Sequence, residues 1–209
     1  MCGVVIAVLR KALLALYPAE SGVPVPVFPA ENQLRILIEH GLYYSFMARW
    51  VSIEDVHEVA RRLQVATETT VACDLQAAMR SSGASSRKPR RAWIARLAAS
   101  WSLVVYLDGW MPDSDSDLLS LGGKSVFDVS CISGIEEIEE LFYTHDGVST
   151  GTIYDEEEYL VYWDDLQYDL KSTDGQLEEY LTILGRVAGR FLDHDLFSSQ
   201  GLLVQLPPD

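Results

Sequence analysis

From residue 92 onward, short apolar runs follow one another through turn residues, mostly with no helix between them. Residues 92–97, 101–107, 125–130, 141–144, 150–154 and 159–163 read as strands rich in branched and aromatic side chains. Asp108-Gly109 and Asp146-Gly147 supply the left-handed backbone that tight turns require. Strands joined this closely pair antiparallel, because a parallel pair needs a crossover of roughly a dozen residues or more. Residues 116–121 read as one helical turn closed by Gly122-Gly123. Residues 176–192 form a strong helical pattern: Leu177, Tyr180, Leu181, Leu184, Val187, Ala188 and Phe191 recur at three and four. Asp174 stands where its cap belongs.

The first part of the chain has the helical period instead. Residues 4–17 read as an amphipathic helix with a basic flank at Arg10 and Lys11, ending before Pro18. Residues 21–29, with Pro24, Pro26 and Pro29, read as an extended connector. Residues 30–40 predict a second helix with Leu34, Leu37 and Ile38 on one face and Gly41 as its stop. Residues 42–51 are aromatic-rich and read as a strand or a buried segment. Ser52 opens a further helix, with Asp55 three residues on and a stripe of Val56, Val59, Ala60 and Leu63. Residues 67–80 read as another helix. Residues 81–91 are small, polar and basic, with Arg87, Lys88, Arg90 and Arg91, and Arg96 just beyond; they read as a solvated linker or loop. The expectation is an α+β fold: a helical part over 1–80, the basic linker 81–91, and an antiparallel sheet of about five or six strands with a covering C-terminal helix over 92–209, together one compact unit.

Charge divides the chain in the same place. The 209 residues carry 31 acids and 16 bases, a net of −15. Residues 1–100 hold 8 acids and 12 bases, whereas residues 101–209 hold 23 acids against Lys124, Lys171, Arg186 and Arg190. Such a balance argues against general nucleic-acid binding, which requires phosphates to be neutralised. An apolar content of 48% argues against wholesale disorder. Cys2, Cys73 and Cys131 are too few and too far apart for a disulfide framework or a CxxC pair, and read as reduced thiols in a cytoplasmic protein. The N-terminal apolar run is interrupted by Arg10 and Lys11 and falls short of the ~18 residues that span a membrane, so neither a signal peptide nor a membrane partner is expected.

Several short motifs invite chemistry and lack its context. Met1-Cys2-Gly3 resembles the start of the class II glutamine amidotransferases, but a helix with Arg10-Lys11 follows it, and the downstream motifs are missing. Gly147-Val148-Ser149-Thr150-Gly151 matches the nucleophile-elbow pattern, and would make Ser149, with His145 and Asp146, a catalytic candidate; a strand pattern follows where the elbow needs a helix. Asp113, Asp115 and Asp117 alternate as in a calcium loop, but Leu118 and Lys124 occupy the required glycine and glutamate positions, which leaves an exposed loop. Arg61 stands where a His57-Glu58 zinc helix needs its second histidine. Asp193, His194 and Asp195 offer carboxylate and imidazole to a metal, at what reads as the C-terminal end of the last helix. No cofactor motif is present in the sequence.

The segment SIEDVHEVARRLQV (52–65), the stretch 101–110, LLSLGGKSVFDV (118–129) and LFYTHDG (141–147) together resemble an uncharacterised actinobacterial domain family. The resemblance covers about residues 42–160 and implies a single fold over that span, with no activity to carry over. The acidic tail departs from that pattern.

The most unusual stretch is YDEEEYLVYWDDLQYD (154–169), in which seven acids are threaded with five aromatic residues. Aromatic rings anchor interfaces and carboxylates steer a basic partner. Tyr154, Asp155, Glu156, Glu157, Glu158, Tyr159, Trp163, Asp164 and Asp165 are therefore the candidate binding residues, with Glu136, Glu137, Glu139 and Glu140 extending the charge. The reading is an acidic, immunity-like binding or inhibitory module for a basic protein. The alternative is a small enzyme or ligand-binding protein of bacterial specialised metabolism, built on His145, Asp146 and Ser149 or on Asp193, His194 and Asp195.

Overall fold

A computed structural model describes residues 29–42, 45–65, 70–81, 90–109, 111–132, 138–152 and 176–207. In chain order the elements are α1 (Gln33–Glu39), β1 (Ser45–Val51), α2 (Val56–Arg62), β2 (Val71–Cys73), α3 (Leu75–Arg80), β3 (Arg91–Ala98), β4 (Trp101–Tyr106), α4 (Asp113–Ser120), β5 (Ser125–Ile132), β6 (Ile138–His145), β7 (Val148–Thr152), α5 (Gln176–Ala188), α6 (His194–Ser198) and β8 (Gly201–Gln205). The strands form one sheet in the order β2-β8-β3-β4-β1-β5-β6-β7. Every pairing is antiparallel. The fold is α+β, as expected, and β1 contributes a central strand to the sheet from before the basic linker.

Helices lie on both faces of the sheet. Strand alternation turns Phe46, Ala48 and Trp50 of β1 to one side and Met47 and Val51 to the other. On the first side Ile36 and Leu37 of α1, Leu75 and Ala78 of α3, the apolar stripe of α5, and Leu196 and Phe197 of α6 close over Trp93, Trp101, Phe127 and Tyr143. On the second, Val59 and Ala60 of α2 and Leu119 of α4 close over Ile94, Val104, Val126 and Val204. An antiparallel sheet usually leaves one face to water. Here β4 is buried along its whole length, WSLVVY, because both faces are covered.

Among the described residues the sheet has eight strands where five or six were expected, because β1, β2 and β8 join five of the predicted ones. β2 occupies part of the predicted helix 67–80: Val71 and Ala72 are exposed at the sheet edge, and Asp74 accepts from Ala77 N to restart the chain as α3. β8 is five residues with little alternation, in a tail to which no element was assigned. The placement of the helices also differs from the expected arrangement, since they cover both faces. Gly109 (φ 71°) turns the chain after β4, as expected. The β3–β4 hairpin turns at Ser100 (φ 70°), whereas Asp108 follows β4 and its carboxylate accepts from Arg91 N and the Arg91 guanidinium. Asp146 (φ 48°) and Gly147 (φ 75°) make the β6–β7 hairpin as expected. Arg90 and Arg91, read as solvated loop bases, are drawn into the fold, with Arg90 donating to the Pro207 carbonyl. The helix over 4–17, most of the connector 21–29, the cap Asp174 and the strand over 159–163 lie outside the described residues, as does the end of the strand predicted over 150–154.

Gly201 opens β8 directly against β3. A Cβ there would stand 2.5 Å from Trp93 Cε2 and 2.7 Å from the Ile94 carbonyl oxygen. The ring is buried and the carbonyl belongs to the sheet backbone, so neither can move aside. Gly201→Ala is expected to lower unfolding free energy by about 1–3 kcal/mol, read from the midpoint of urea denaturation.

Candidate functional site

The described polar groups of chemical interest form three clusters. The largest centres on Arg49, which β1 carries on the sheet face beneath α4. Its side chain is 0% exposed. Nε donates to Asp128 Oδ1 at 2.9 Å, and Nη2 donates to Asp128 Oδ2 at 3.3 Å and to the Pro112 carbonyl at 2.5 Å. Nη1 donates to the Tyr106 hydroxyl and, at 3.4 Å, to Asp115 Oδ2. Tyr106 in turn donates to Asp115 at 3.0 Å, and Ser116 to Asp128 at 2.5 Å. The five donor hydrogens of the guanidinium thus have five acceptors.

The register explains the assembly. Arg49 is the cross-strand neighbour of Asp128 on β5, Tyr106 stands on the same face of β4, and α4 lowers Asp115 and Ser116 onto them. Burial opposes the Arg49 charge, but Tyr106, Asp128 and Asp115 outweigh it and its pKa is raised. Burial pushes the Tyr106 phenol and the Asp115 carboxyl up, and Arg49 partly counters both shifts. The aspartates expected in an exposed loop are thus the first turns of a helix. Asp113 and Asp117 face solvent, and Asp115 faces inward. The cluster is saturated, and its chemistry is to clamp α4 onto the sheet.

The second cluster lies at the end of β5 and β6. Ser125 Oγ is 3.1 Å from both His145 Nδ1 and the Tyr143 hydroxyl. His145 therefore does not join Asp146 and Ser149. Asp146 Oδ1 accepts from Gly122 N and Gly123 N, tying two turns together. Ser149 pairs with Thr144, whose side chain points to the sheet face opposite His145. It stands in a strand that follows a hairpin, so the sharp strand-to-helix turn of a nucleophile elbow is not formed. Among the described residues no carboxylate is hydrogen-bonded to His145, and Ser125 is 2% exposed.

The third cluster joins α1 and α6. Gly189 (φ 79°) ends α5, so His194 sits at the first position of a new helix and not at the C-terminus of the old one. Asp193 caps that helix, accepting from Leu196 N at 2.6 Å, and is ion-paired to Arg190. Asp195 is exposed. Among the described residues no three His, Cys, Asp or Glu side chains converge to hold a metal ion. His194 instead meets His40, at 3.0 Å between Nδ1 and Nε2.

Tyr154, Asp155, Glu156, Glu157, Glu158, Tyr159, Trp163, Asp164 and Asp165 lie outside the described residues. Sequence reasoning passed over Arg49 and His40. The signal for Arg49 was a lone charge between Ala48 and Trp50 in an otherwise apolar strand. His40 had none, because its partner lies 154 residues away. Among the described residues no helix is long and apolar enough to cross a membrane. The chain matches no family model, no curated protein and no solved structure.

Removing one partner of the Arg49 cluster strands the other charge in the interior. Arg49→Met is expected to destabilise by about 3–5 kcal/mol in urea denaturation, and adding Asp128→Leu to recover part of that loss, because the second change removes the stranded carboxylate.

Proposed function

We propose that the protein is an acidic protein-binding module, immunity-like in its physics, that engages a basic protein through the acidic and aromatic stretch 154–169. One observation carries the reading. Arg35, Arg49, Arg61, Arg62, Arg91, Arg96 and Arg190 are ion-paired to Glu39, Asp115, Asp128, Glu58, Asp108, Glu54 and Asp193. Most of the bases in the described residues are thus paired with acids that are also described. In sequence, residues 101–209 carry 23 acids against four bases, and the stretches 136–140 and 155–169 hold eleven of those acids. Carboxylates there raise the encounter rate with a basic surface, and Tyr159 and Trp163 anchor it.

The test is affinity against ionic strength for a partner purified from native lysate. The partner is expected to be basic, with a Kd that rises at least about tenfold between about 0.05 M and about 0.5 M salt. Reversing Glu156, Glu157 and Glu158 to lysine is expected to abolish the complex while leaving the urea midpoint unchanged. A Kd indifferent to salt, or to the triple reversal, rejects the reading.

A further inference from the structure

His40 closes α1, His194 opens α6, and their rings meet across the seam between the two elements, with centroids 5.2 Å apart. The neighbours determine which nitrogens carry hydrogen. Gln76 Nε2 donates to the His40 carbonyl at 3.1 Å, which orients the amide, and the same Nε2 lies 3.5 Å from His40 Nδ1. An amide nitrogen only donates, so His40 Nδ1 is an acceptor and His40 Nε2 carries the hydrogen. His40 Nε2 then donates to His194 Nδ1, which leaves the hydrogen of His194 on Nε2. That N–H faces Glu39 Oε2 at 3.5 Å and Glu31 Oε2 at 3.6 Å. The donors run in one direction, from Gln76 through His40 and His194 to the two glutamates.

We propose that this chain of donors is a proton-sensitive latch, holding α1 against α6 while both rings are neutral and releasing when either takes up a second proton. Neither ring keeps an acceptor nitrogen for that proton. On His194 Nδ1 it sets two N–H groups against each other across 3.0 Å, and on His40 Nδ1 it opposes the Gln76 amide. The surrounding groups are of mixed sign. Around α1 stand Glu31, Glu39 and Arg35, the last paired to Glu39; before α6 stands the Arg190–Asp193 pair, and on it Asp195. α3 brings Gln76 and its cap Asp74, and the Phe197 ring of α6 packs tilted against His40 with centroids 4.9 Å apart. Burial and the facing His194 lower the pKa of His40 below its ordinary value. A lowered histidine pKa means that neutral His40 contributes stability in full above about pH 6.5, and that this contribution fades as pH falls through the native value. The same segments line a cavity of about 340 Å³, with Ala30, Glu31 and Ile36 facing Arg190, Leu192 and His194, so release of the latch loosens one wall of it.

Two measurements on the full chain decide the matter. Two-bond ¹⁵N–¹H spectra at about pH 8 are expected to show both rings with hydrogen on Nε2 and bare Nδ1; an Nδ1–H form of either ring overturns the latch. Amide hydrogen exchange, corrected for its intrinsic pH dependence, is expected to accelerate in α6 and the last turn of α1 by up to about tenfold per pH unit between about pH 7 and pH 5.5, while β1 and β5 hold. His40→Gln and His194→Gln are each expected to flatten that response, and His57→Asn at an exposed position of α2 to leave it intact. No acceleration in the unaltered protein, or the same acceleration in both glutamine variants, overturns the proposal. The tautomer spectra need no variant, so the proposal stays falsifiable if a glutamine variant does not fold.

Discussion

A guanidinium is buried in the middle of this sheet, and the second helical layer is organised around it. Arg49 stands on a central strand flanked by β4 and β5, with no solvent-exposed surface. An arginine remains charged at any pH the fold survives, so the surrounding structure must supply acceptors for all five of its hydrogens. Asp128 and Tyr106 come from the neighbouring strands; the remaining acceptors, Pro112 and Asp115, come from the start of α4. A helix that merely covered apolar surface could slide by a turn at small cost. This one is held in register by a carboxylate and a carbonyl that have to reach fixed nitrogens. Replacing the network by packed apolar groups would be roughly neutral in energy, so what it contributes is a defined position for α4.

The sequence was most legible where periodicity is strong and local. The stripe from Leu177 to Ala188, the hairpin at Asp146-Gly147 and the strands β3 to β5 follow from side-chain alternation and turn chemistry alone. It was least legible at the two short strands beside one another at the sheet edge. β2 is three residues long and β8 five, too few for a period to show, and their pairing is made by residues about 130 positions apart. Cover on both faces was also invisible. A buried strand such as β4 reads the same from either side, and nothing in the chain order says which face α2 or α4 will choose.

The candidate chemistry failed for reasons of geometry, not composition. His145, Asp146 and Ser149 are adjacent in the chain, and adjacency in a hairpin sends alternate side chains to opposite faces. Asp193, His194 and Asp195 are adjacent at a helix start, where the first caps the backbone, the second turns across the seam and the third faces water. In both cases the partner each histidine finds, Ser125 or His40, comes from another element. A motif read along the chain supplies residue types. The sheet register and the helix ends decide which of them meet.

The same distinction separates the acids by use. Asp128, Asp115, Asp108 and Asp193 each occupy a defined place beside an arginine or a helix cap, and the fold needs them there. A carboxylate paired in the interior adds nothing to the field outside, because its counter-charge lies within about 3–4 Å and the two cancel at a distance. The long-range field is set by acids that have no such counter-charge beside them. In sequence the acids are densest at 136–140 and 155–169. The described bases Arg90 and Arg91 are turned inward onto Pro207 and Asp108. The charge of the protein is thus polarised between the two halves of the chain. The binding proposal rests on the stretch 154–169 and the latch on His40 and His194, so the two involve different residues and can fail independently.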